Sequence, residues 1–343
     1  MENTITSIKH QWNNLKIENP KLRIRDAAKE LGLSEAELVN TGVGEQNTLL
    51  NTDFKELLKE TNTLGYVMAL TRNDYCVHER KGVYIKVGFN GHVGLIVTPD
   101  IDLRLFMTHW HFGFAVNENE RLSLQFFDAD GSAVHKIYLT DKSDVEAYHR
   151  LVAKYTAEDQ NQLLAIQPTS KTGVEKPDHE VAVNTFQEAW IALQDTHDFH
   201  GLLKEHGLTR TQALRLAPDG YAQQLSISSL KQILTSAAES STPIMVFTGS
   251  AGCIQIHTGE VKKLVQTGPW FNVLDPEFNM HLREDAINTV WLVKKPTTDG
   301  LVHSVEVYDN EGNTIVQFFG KRKPGIPESE DWRAILNAVQ TTI

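Results

Sequence analysis

His197 and His200 stand three residues apart, a few positions ahead of Lys204 and Arg210. Imidazole is a common transition-metal ligand, and lysine and arginine offer an anion both charge and hydrogen-bond donors. Trp190, Leu193 and His197 fall at i, i+3 and i+7. The spacing predicts one helix face that starts apolar and continues through His197 to His200 and Lys204. Thr185-Phe-Gln-Glu188 reads as the capping box that opens this helix, and Gly207 as its stop. Thr209-Arg-Thr-Gln212 caps the next helix, so Arg210 falls in a first turn, where free amides and the dipole already favour an anion. The same residues also fit a helix end leaving its core with both histidines solvated, since helix C-termini favour histidine. Arg210 equally fits an ordinary surface arginine.

Comparing the chain with itself yields the other candidates. Val67-Met68, Thr71 and Cys76 return 177 residues later as Ile244-Met245, Thr248 and Cys253. At a spacing of 181, Trp110 falls on Trp291, and Phe127-Asp128 with Gly131 falls on Tyr308-Asp309 with Gly312. Lys29-Glu30 with Gly32-Leu33 returns as Lys204-Glu205 with Gly207-Leu208. So long a period means two copies of a domain-sized unit, not a solenoid. The copies are read as residues 1–166 and 182–343, joined by a polar, proline-containing linker at 167–181. His197 and His200 have no clear counterparts in the first copy. Arg104, in Asp102-Leu-Arg-Leu-Phe106, matches His281 in the second. A charged residue between apolar neighbours on a strand points to solvent or serves a buried anion or ligand. Lys294-Lys295-Pro296 replaces Gly113-Phe114-Ala115, and Lys321-Arg322 follows the last strand, so the second copy has gathered cations near its strand ends.

These residues need elements to hold them. Each copy opens with helices and closes with strands, which predicts an α+β fold built twice, each half a helical segment followed by a large, curved, mostly antiparallel sheet. Ser34-Glu-Ala-Glu37 is a capping box, and Asp128-Ala-Asp-Gly131 a hairpin turn. In the first copy strand signals run from Val67 to Leu139, including Tyr75 to Val77 and Val83 to Val87, and a helix covers Val145 to Tyr155. In the second, helices are expected from Thr185 to Leu234, strands from Ile244 to Phe319, and a last helix from Asp331 to Val339.

Bulk properties narrow the function. The chain has 343 residues, 41% apolar and 22% charged, enough for two domains with ordinary cores. No apolar run approaches the ~18–20 residues that span a bilayer. The N-terminus shows no export signal, and a cytoplasmic location is expected. The net charge of −11 argues against non-specific binding to nucleic acid or anionic membranes and against stable membrane insertion. Cys76 and Cys253 occupy equivalent places in alternating apolar stretches, as small buried strand residues do.

Several segments resemble the cytoplasmic haemin-degrading and haem-trafficking proteins of the HemS/ChuS/PhuS type. They are Asp195-Thr-His197-Asp-Phe199 with Leu202-Leu203-Lys204, Arg72-Asn-Asp-Tyr75, Asn90-Gly-His-Val-Gly-Leu95, Asp102-Leu-Arg-Leu-Phe106, Ser123-Leu-Gln-Phe-Phe-Asp128, Ile244-Met-Val-Phe247 and Lys295-Pro-Thr297. They occur in the family's order across essentially the whole chain. The resemblance implies that His197 is the axial haem ligand, and that Arg104, from the first half, stands on the distal side with a catalytic role. It implies propionate contacts at Arg210, Lys295 and Arg322, and a pocket-lining strand with Gln317 and Phe318. His200 stands where some relatives carry an aromatic, so either histidine could meet the iron. The implied activity is uptake of imported haem and its oxidative breakdown to a ring-opened tetrapyrrole and iron. The alternative within the family is a haem carrier that delivers its cargo to a separate haem oxygenase. Partners would then be haem, an external reductase or other electron donor, a haem importer and, for a carrier, that oxygenase. No Gly-x-Gly-x-x-Gly suggests a resident nicotinamide site. Two readings from other classes stay open on the sequence alone. One is a non-haem metal site built on His109-Trp-His111 with His78 or His92; the other is a duplicated scaffold that only binds partners.

Overall fold

The computed structural model describes residues 4–168, 175–323 and 325–340; residues 169–174 of the expected linker lie outside the described residues. The chain forms two compact units, one of residues 1–72, 78–170 and 249–255, the other of residues 73–77, 171–248 and 256–343. Among the described residues no helix is long and apolar enough to cross a membrane.

The first half carries helices α1 (Ile5–Glu18), α2 (Ile24–Leu31) and α3 (Glu35–Asn40), strand β1 (Asn47–Leu49), and α4 (Phe54–Glu60). Strands β2 (Gly65–Arg72), β3 (Cys76–Val83), β4 (Gly88–Asn90), β5 (Val93–Val97), β6 (Asp102–Phe106), β7 (Phe112–Glu118), β8 (Arg121–Phe127) and β9 (Ala133–Ser143) follow, and α5 (Val145–Tyr155) closes it. The second half runs α6 (Val183–Ile191), α7 (Asp198–His206), α8 (Arg210–Arg215), β10 (Ala222–Leu225) and α9 (Ile227–Glu239). It continues through β11 (Ile244–Gly249), β12 (Cys253–Gly259), β13 (Leu264–Thr267), β14 (Trp270–Leu274), β15 (Phe278–Arg283), β16 (Thr289–Thr297), β17 (Gly300–Tyr308), β18 (Thr314–Gly320) and α10 (Glu330–Gln340).

The duplication is written in the strand pairing. In the first unit β1, β7, β8, β9 and β2 pair in that order, all antiparallel, and β4, β5 and β6 form a second antiparallel ladder. In the second, β10, β16, β17, β18 and β11 repeat the first order, and β13, β14 and β15 the other. The predicted α+β class holds, with antiparallel sheet throughout these ladders.

Alternation along the strands gives the second unit's larger ladder two different faces. Val246, Val290, Leu292, Val305, Val307, Val316 and Phe318 share a core with Leu230, Ile233 and Leu234 of α9 and Trp332 and Leu336 of α10. Val293 and Tyr308 face the other way, into a cluster with Phe186 and Trp190 of α6, Phe199, Leu202 and Leu203 of α7, and Ala213 and Leu214 of α8. That second face holds the candidate site.

Three expectations are corrected. The helix predicted from Thr185 onward is two helices, and Thr185 is not a cap: α6 starts at Val183, and its N-cap Ala182 makes no side-chain bond. Ala222–Leu225, expected to be helical, is strand β10, because pairing with Val290 to Val293 of β16 outweighs a sequence without alternation. Tyr75–Val77 and Val83–Val87 do not form separate strands; β3 spans Cys76–Val83, and Lys86 beyond it takes a φ of 57°. The Ser34–Glu37 capping box forms as read, and Asp128 to Ser132 closes the β8–β9 hairpin, with Gly131 at a φ of 78°. Cys76 and Cys253 are both free and buried, and burial pushes each thiol up to about 12.

A buried ion cluster ties α3 to the first unit's sheet. The Glu35 carboxylate, at the first position of α3, accepts from Lys136 Nζ on β9 at 2.5 Å and from Arg72 on β2. Burial alone would raise the Glu35 carboxyl, but the two cations outweigh it and hold it at about 2. The group's folded value lies below its ordinary one, so its contribution is complete above pH 4.5 and is lost as pH falls from there towards 2. The loss is about 3 kcal/mol. In urea titrations followed by circular dichroism, the first unit of the native chain should therefore weaken between about pH 5 and about pH 2.5 more steeply than that of Glu35→Gln. Equal slopes would show that Glu35 is not the linked group.

Candidate functional site

After Ile191 the chain leaves α6, and the Asp195 side chain organises the bend that leads into α7. Its Oδ1 accepts the His197 backbone N–H at 2.9 Å and the His197 ring Nδ1–H at 2.6 Å. A short polar side chain that bonds the backbone two residues on competes with helix continuation. The helix restarts at Asp198, with His197 in the N-cap position. His197 therefore does not extend the apolar face of α6. It sits on a bend, its side chain 82% exposed. The His197 amide, and then the ring N–H, hold the Asp195 carboxyl below the usual carboxylate range. With Nδ1 donating to Asp195, the Nε2 lone pair points outward. A carboxylate on the far nitrogen is the usual device for orienting a metal-ligating imidazole and raising its basicity. His200 lies in the first turn of α7 and is also exposed.

The bend is anchored from below. Phe199 is buried, edge-on to Trp190 with ring centroids 4.6 Å apart. Trp190 Nε1 donates to the Lys294 carbonyl at 3.0 Å, and the Gln194 carbonyl accepts from Thr298 N at 3.0 Å. On its other side the Phe199 ring meets two cations: Lys295 Nζ lies 4.8 Å from its centroid and the Arg210 guanidinium 5.4 Å. Gly207, at a φ of 61°, ends α7 in the left-handed conformation, and Thr209 caps α8 through the Gln212 amide. Arg210 is thus delivered to the first position of α8, as its sequence predicts.

Arg210 and Lys295 converge on Glu306, which sequence reasoning missed. Arg210 donates from Nε to Glu306 Oε2 at 2.9 Å and from Nη2 to Oε1 at 3.1 Å. Lys295 Nζ donates to Oε1 at 2.5 Å, Ser304 Oγ at 2.8 Å, and the Tyr308 hydroxyl donates to Oε2. Glu306 is fully buried and Lys295 only 2% exposed, while the Arg210 side chain keeps 27% exposure. Burial alone would raise the Glu306 carboxyl, but Arg210 and Lys295 hold it well below its ordinary value. Burial pushes the Lys295 ammonium down to about 8, with Arg210 adding to the fall and Glu306 opposing it. Two cations on one carboxylate leave the cluster with a net charge of +1 below that point. The signal for Glu306 was present in Val305-Glu-Val307, a charge between apolar strand neighbours, where the first copy has Gln125.

The sheet face beyond the cluster is apolar and half-buried. Phe247 and Phe319 stand 4.9 Å apart, with Lys295 Nζ 6.0 Å from Phe319. Gln317 lies on this face, opposite both Glu306 and Phe247 in the register. Phe318 does not: strand alternation turns it into the core under α9 and α10, so it lines nothing on this side, and Phe319 is the aromatic that does. Arg322, just past β18, reaches Asp299 at 3.7 Å and lies close enough to add to the lowering of Asp195. Its Nε, Gln317 Nε2 and Trp291 Nε1 are buried without a hydrogen-bond partner among the described residues. A flat ligand with carboxylates and an exposed metal would find here an open imidazole, an aromatic face and a cationic edge.

In the first unit Arg104 lies on β6, ion-paired with Asp102 and in register with Leu95. Leu95, Val93 and Val97 on that side of β5 are exposed. Here burial wins over the neighbouring Arg104 and raises the Asp102 carboxyl. His109 and His111 do not share a strand face. His109 ends a 3-10 turn, and both rings turn Nδ1 towards Asp128, at 3.1 and 3.5 Å. Among the described residues no group of three or more His, Cys, Asp or Glu side chains is arranged to hold a metal ion.

Comparison with known proteins bears on both halves. The family model of the haemin-degrading HemS.ChuX domain matches residues 32–155 and again 207–339. The hemin transport protein HmuS of Yersinia pestis is 39% identical over 332 residues, 95% of each chain. Crystal structures of PhuS, a heme-binding protein from Pseudomonas aeruginosa, are 47% identical with a TM-score of 0.96, covering 98% of this chain and 99% of that one. The heme degrading enzyme ChuS of Escherichia coli O157:H7 is 36% identical with a TM-score of 0.91, again covering 98% and 99%. With two matched segments and relatives aligned along nearly the whole length, this chain belongs to the haemin-degrading HemS/ChuX-domain family.

Proposed function

We propose that this protein binds haem on the second unit, with His197 as the axial iron ligand, and opens the bound ring oxidatively to release iron. The observation that carries the reading is the Asp195–His197 pair, an exposed imidazole whose tautomer leaves Nε2 open. Asp195 fixes the ring and strengthens it as a donor. Phe247 and Phe319 offer the porphyrin an apolar face. Arg322 and the accessible edge of Arg210, backed by Lys295, receive the propionates. Haem supplies the redox chemistry, and electrons come from an external donor. Arg104, in the first unit, is proposed from the family resemblance to take part in this chemistry. Breakdown is supported by the description of ChuS as a heme degrading enzyme. A second reading, carriage to a separate oxygenase, is favoured by the 82% exposure of His197, which leaves the ligand open to exchange. The name of HmuS, a hemin transport protein, accords with it.

Three outcomes test this. His197→Ala should abolish the native ferric haem spectrum and weaken binding, and Asp195→Ala should weaken it about tenfold or more while keeping histidine ligation. Unchanged spectra and affinity in both, and in His200→Ala, would remove the assigned ligand. Lys295 is charged below about pH 8 and neutral above it, so the cluster's net charge falls from +1 towards zero as pH rises. Haem affinity measured by Soret titration should therefore decline between about pH 7 and about pH 9, and the decline should flatten in Lys295→Met. Finally, reduced haem complex exposed to oxygen with a defined reductase and catalase should give ring-opened product. Arg104→Ala should give much less of it at nearly unchanged haem affinity. Intact haem in both proteins, with rapid transfer to an added haem oxygenase, would establish carriage instead.

A further inference from the structure

Glu306 occupies the place a ligand carboxylate would take. Its two oxygens accept from Arg210 Nε and Nη2, Lys295 Nζ, Ser304 Oγ and the Tyr308 hydroxyl. It is fully buried in the face that carries Gln317 and Phe319, and in the register it stands directly opposite Gln317. The first copy has the neutral Gln125 at the matching strand position, so an acid here is particular to the second unit. We infer that Glu306 is an internal competitor for the ligand's carboxylate, a residue that sets affinity low enough for release. This inference rests on the haem-binding reading.

Without Glu306, the Arg210 guanidinium would lose its buried counter-ion, and Lys295, whose charge Glu306 supports, would keep its proton only where an incoming carboxylate took that place. Buried charges left without a counter-ion are strongly unfavourable, so the site would hold an anion far more tightly. With Glu306 in place, an approaching propionate must share donors already committed, chiefly through the part of Arg210 that remains exposed. Glu306 touches neither the iron ligand His197 nor its partner Asp195, and its effect should act on the ligand's carboxylates alone. The inference also differs from a purely structural role. A residue that merely braces the sheet should, when removed, weaken every ligand alike.

The test compares native protein with Glu306→Gln and Glu306→Asp, using iron-free protoporphyrin IX and its dimethyl ester, read by porphyrin fluorescence. Haem, read by its Soret band, runs in parallel. Taking the ratio of acid to ester affinity cancels general damage to the binding face. Glu306→Gln should raise that ratio about tenfold or more and slow transfer of haem to an excess scavenger protein. Glu306→Asp keeps the charge but withdraws it by one methylene, so a smaller rise, about two- to threefold, is expected from the weaker contact. That variant carries the test if the glutamine protein does not fold. A ratio unchanged or lowered in the folded variants overturns the inference. Porphyrin binding that responds to Glu306, together with haem that shows no histidine ligation, would overturn the iron-ligand assignment and leave this inference standing. No binding of either porphyrin by the native chain overturns both.

Discussion

The second unit is organised around a costly burial: two cations and one carboxylate held beneath Phe199. Taking Arg210, Lys295 and Glu306 out of water costs several kcal/mol per ion, and the geometry must be nearly complete for mutual attraction to offset it. It is nearly complete here, with five donors on two carboxylate oxygens. Because the cluster tolerates little displacement, it fixes the start of α8 against β16 and β17. Phe199 lies on that platform, and His197 stands two residues before it. The buried charges thus help to seat the bend on which Asp195 orients the imidazole.

The duplicated half shows how the arrangement was altered. Glu35 and Arg210 hold equivalent places, each the first residue of a short helix capped by Ser34 or Thr209. In the first unit the helix contributes the acid and the sheet the bases, Lys136 and Arg72. In the second the helix contributes the arginine and the sheet contributes both the acid and the lysine. An acid at a helix N-terminus is aided by the dipole, and an arginine there is opposed by it. The first unit has therefore taken the locally favoured option, and the second the disfavoured one, which Glu306 offsets. A departure from local preference of this kind is expected where a site is served at some expense to stability. The site's position is then no accident of packing, since the residue that departs from the rule is the one whose side chain stays partly open.

Much of this was legible in the chain. The repeat at 177 and 181 residues, the alternating strands, the capping residues Ser34 and Thr209, and the buried pair Cys76 and Cys253 all follow from local chemistry and spacing. The break between α6 and α7 was not legible, because Trp190, Leu193 and His197 keep helical spacing across it. The helix is interrupted by the Asp195 carboxylate turning back on the His197 amide, a preference that aspartate satisfies only when the chain is free to bend. The side to which Phe318 points was hidden for a related reason. Gln-Phe-Phe offers two aromatics on opposite faces, and only the register with β17 and β11 decides which is outward. Glu306 shows locally as a charge between Val305 and Val307, but its partners lie 11 and 96 residues away, and no local pattern names them.

A face that presents its candidate metal ligand in the open and keeps its cations partly committed is not built for maximal affinity. Affinity is a difference between free and bound states, and a carboxylate already on Arg210 and Lys295 stabilises the free one. For a ligand that is cargo or substrate this is an advantage, because product or haem must leave. A resident cofactor would call for the opposite design, with cations left unpaired until the cofactor arrives and a ligand buried beneath it. Both halves of the chain contain the parts for a buried two-cation, one-acid cluster, yet only the second places the arginine on the helix, where 27% of its side chain stays within reach of an incoming anion. On the proposed reading, reversible handling of an anionic planar ligand follows from where the charges sit, whether the ring is opened on this protein or passed on from it.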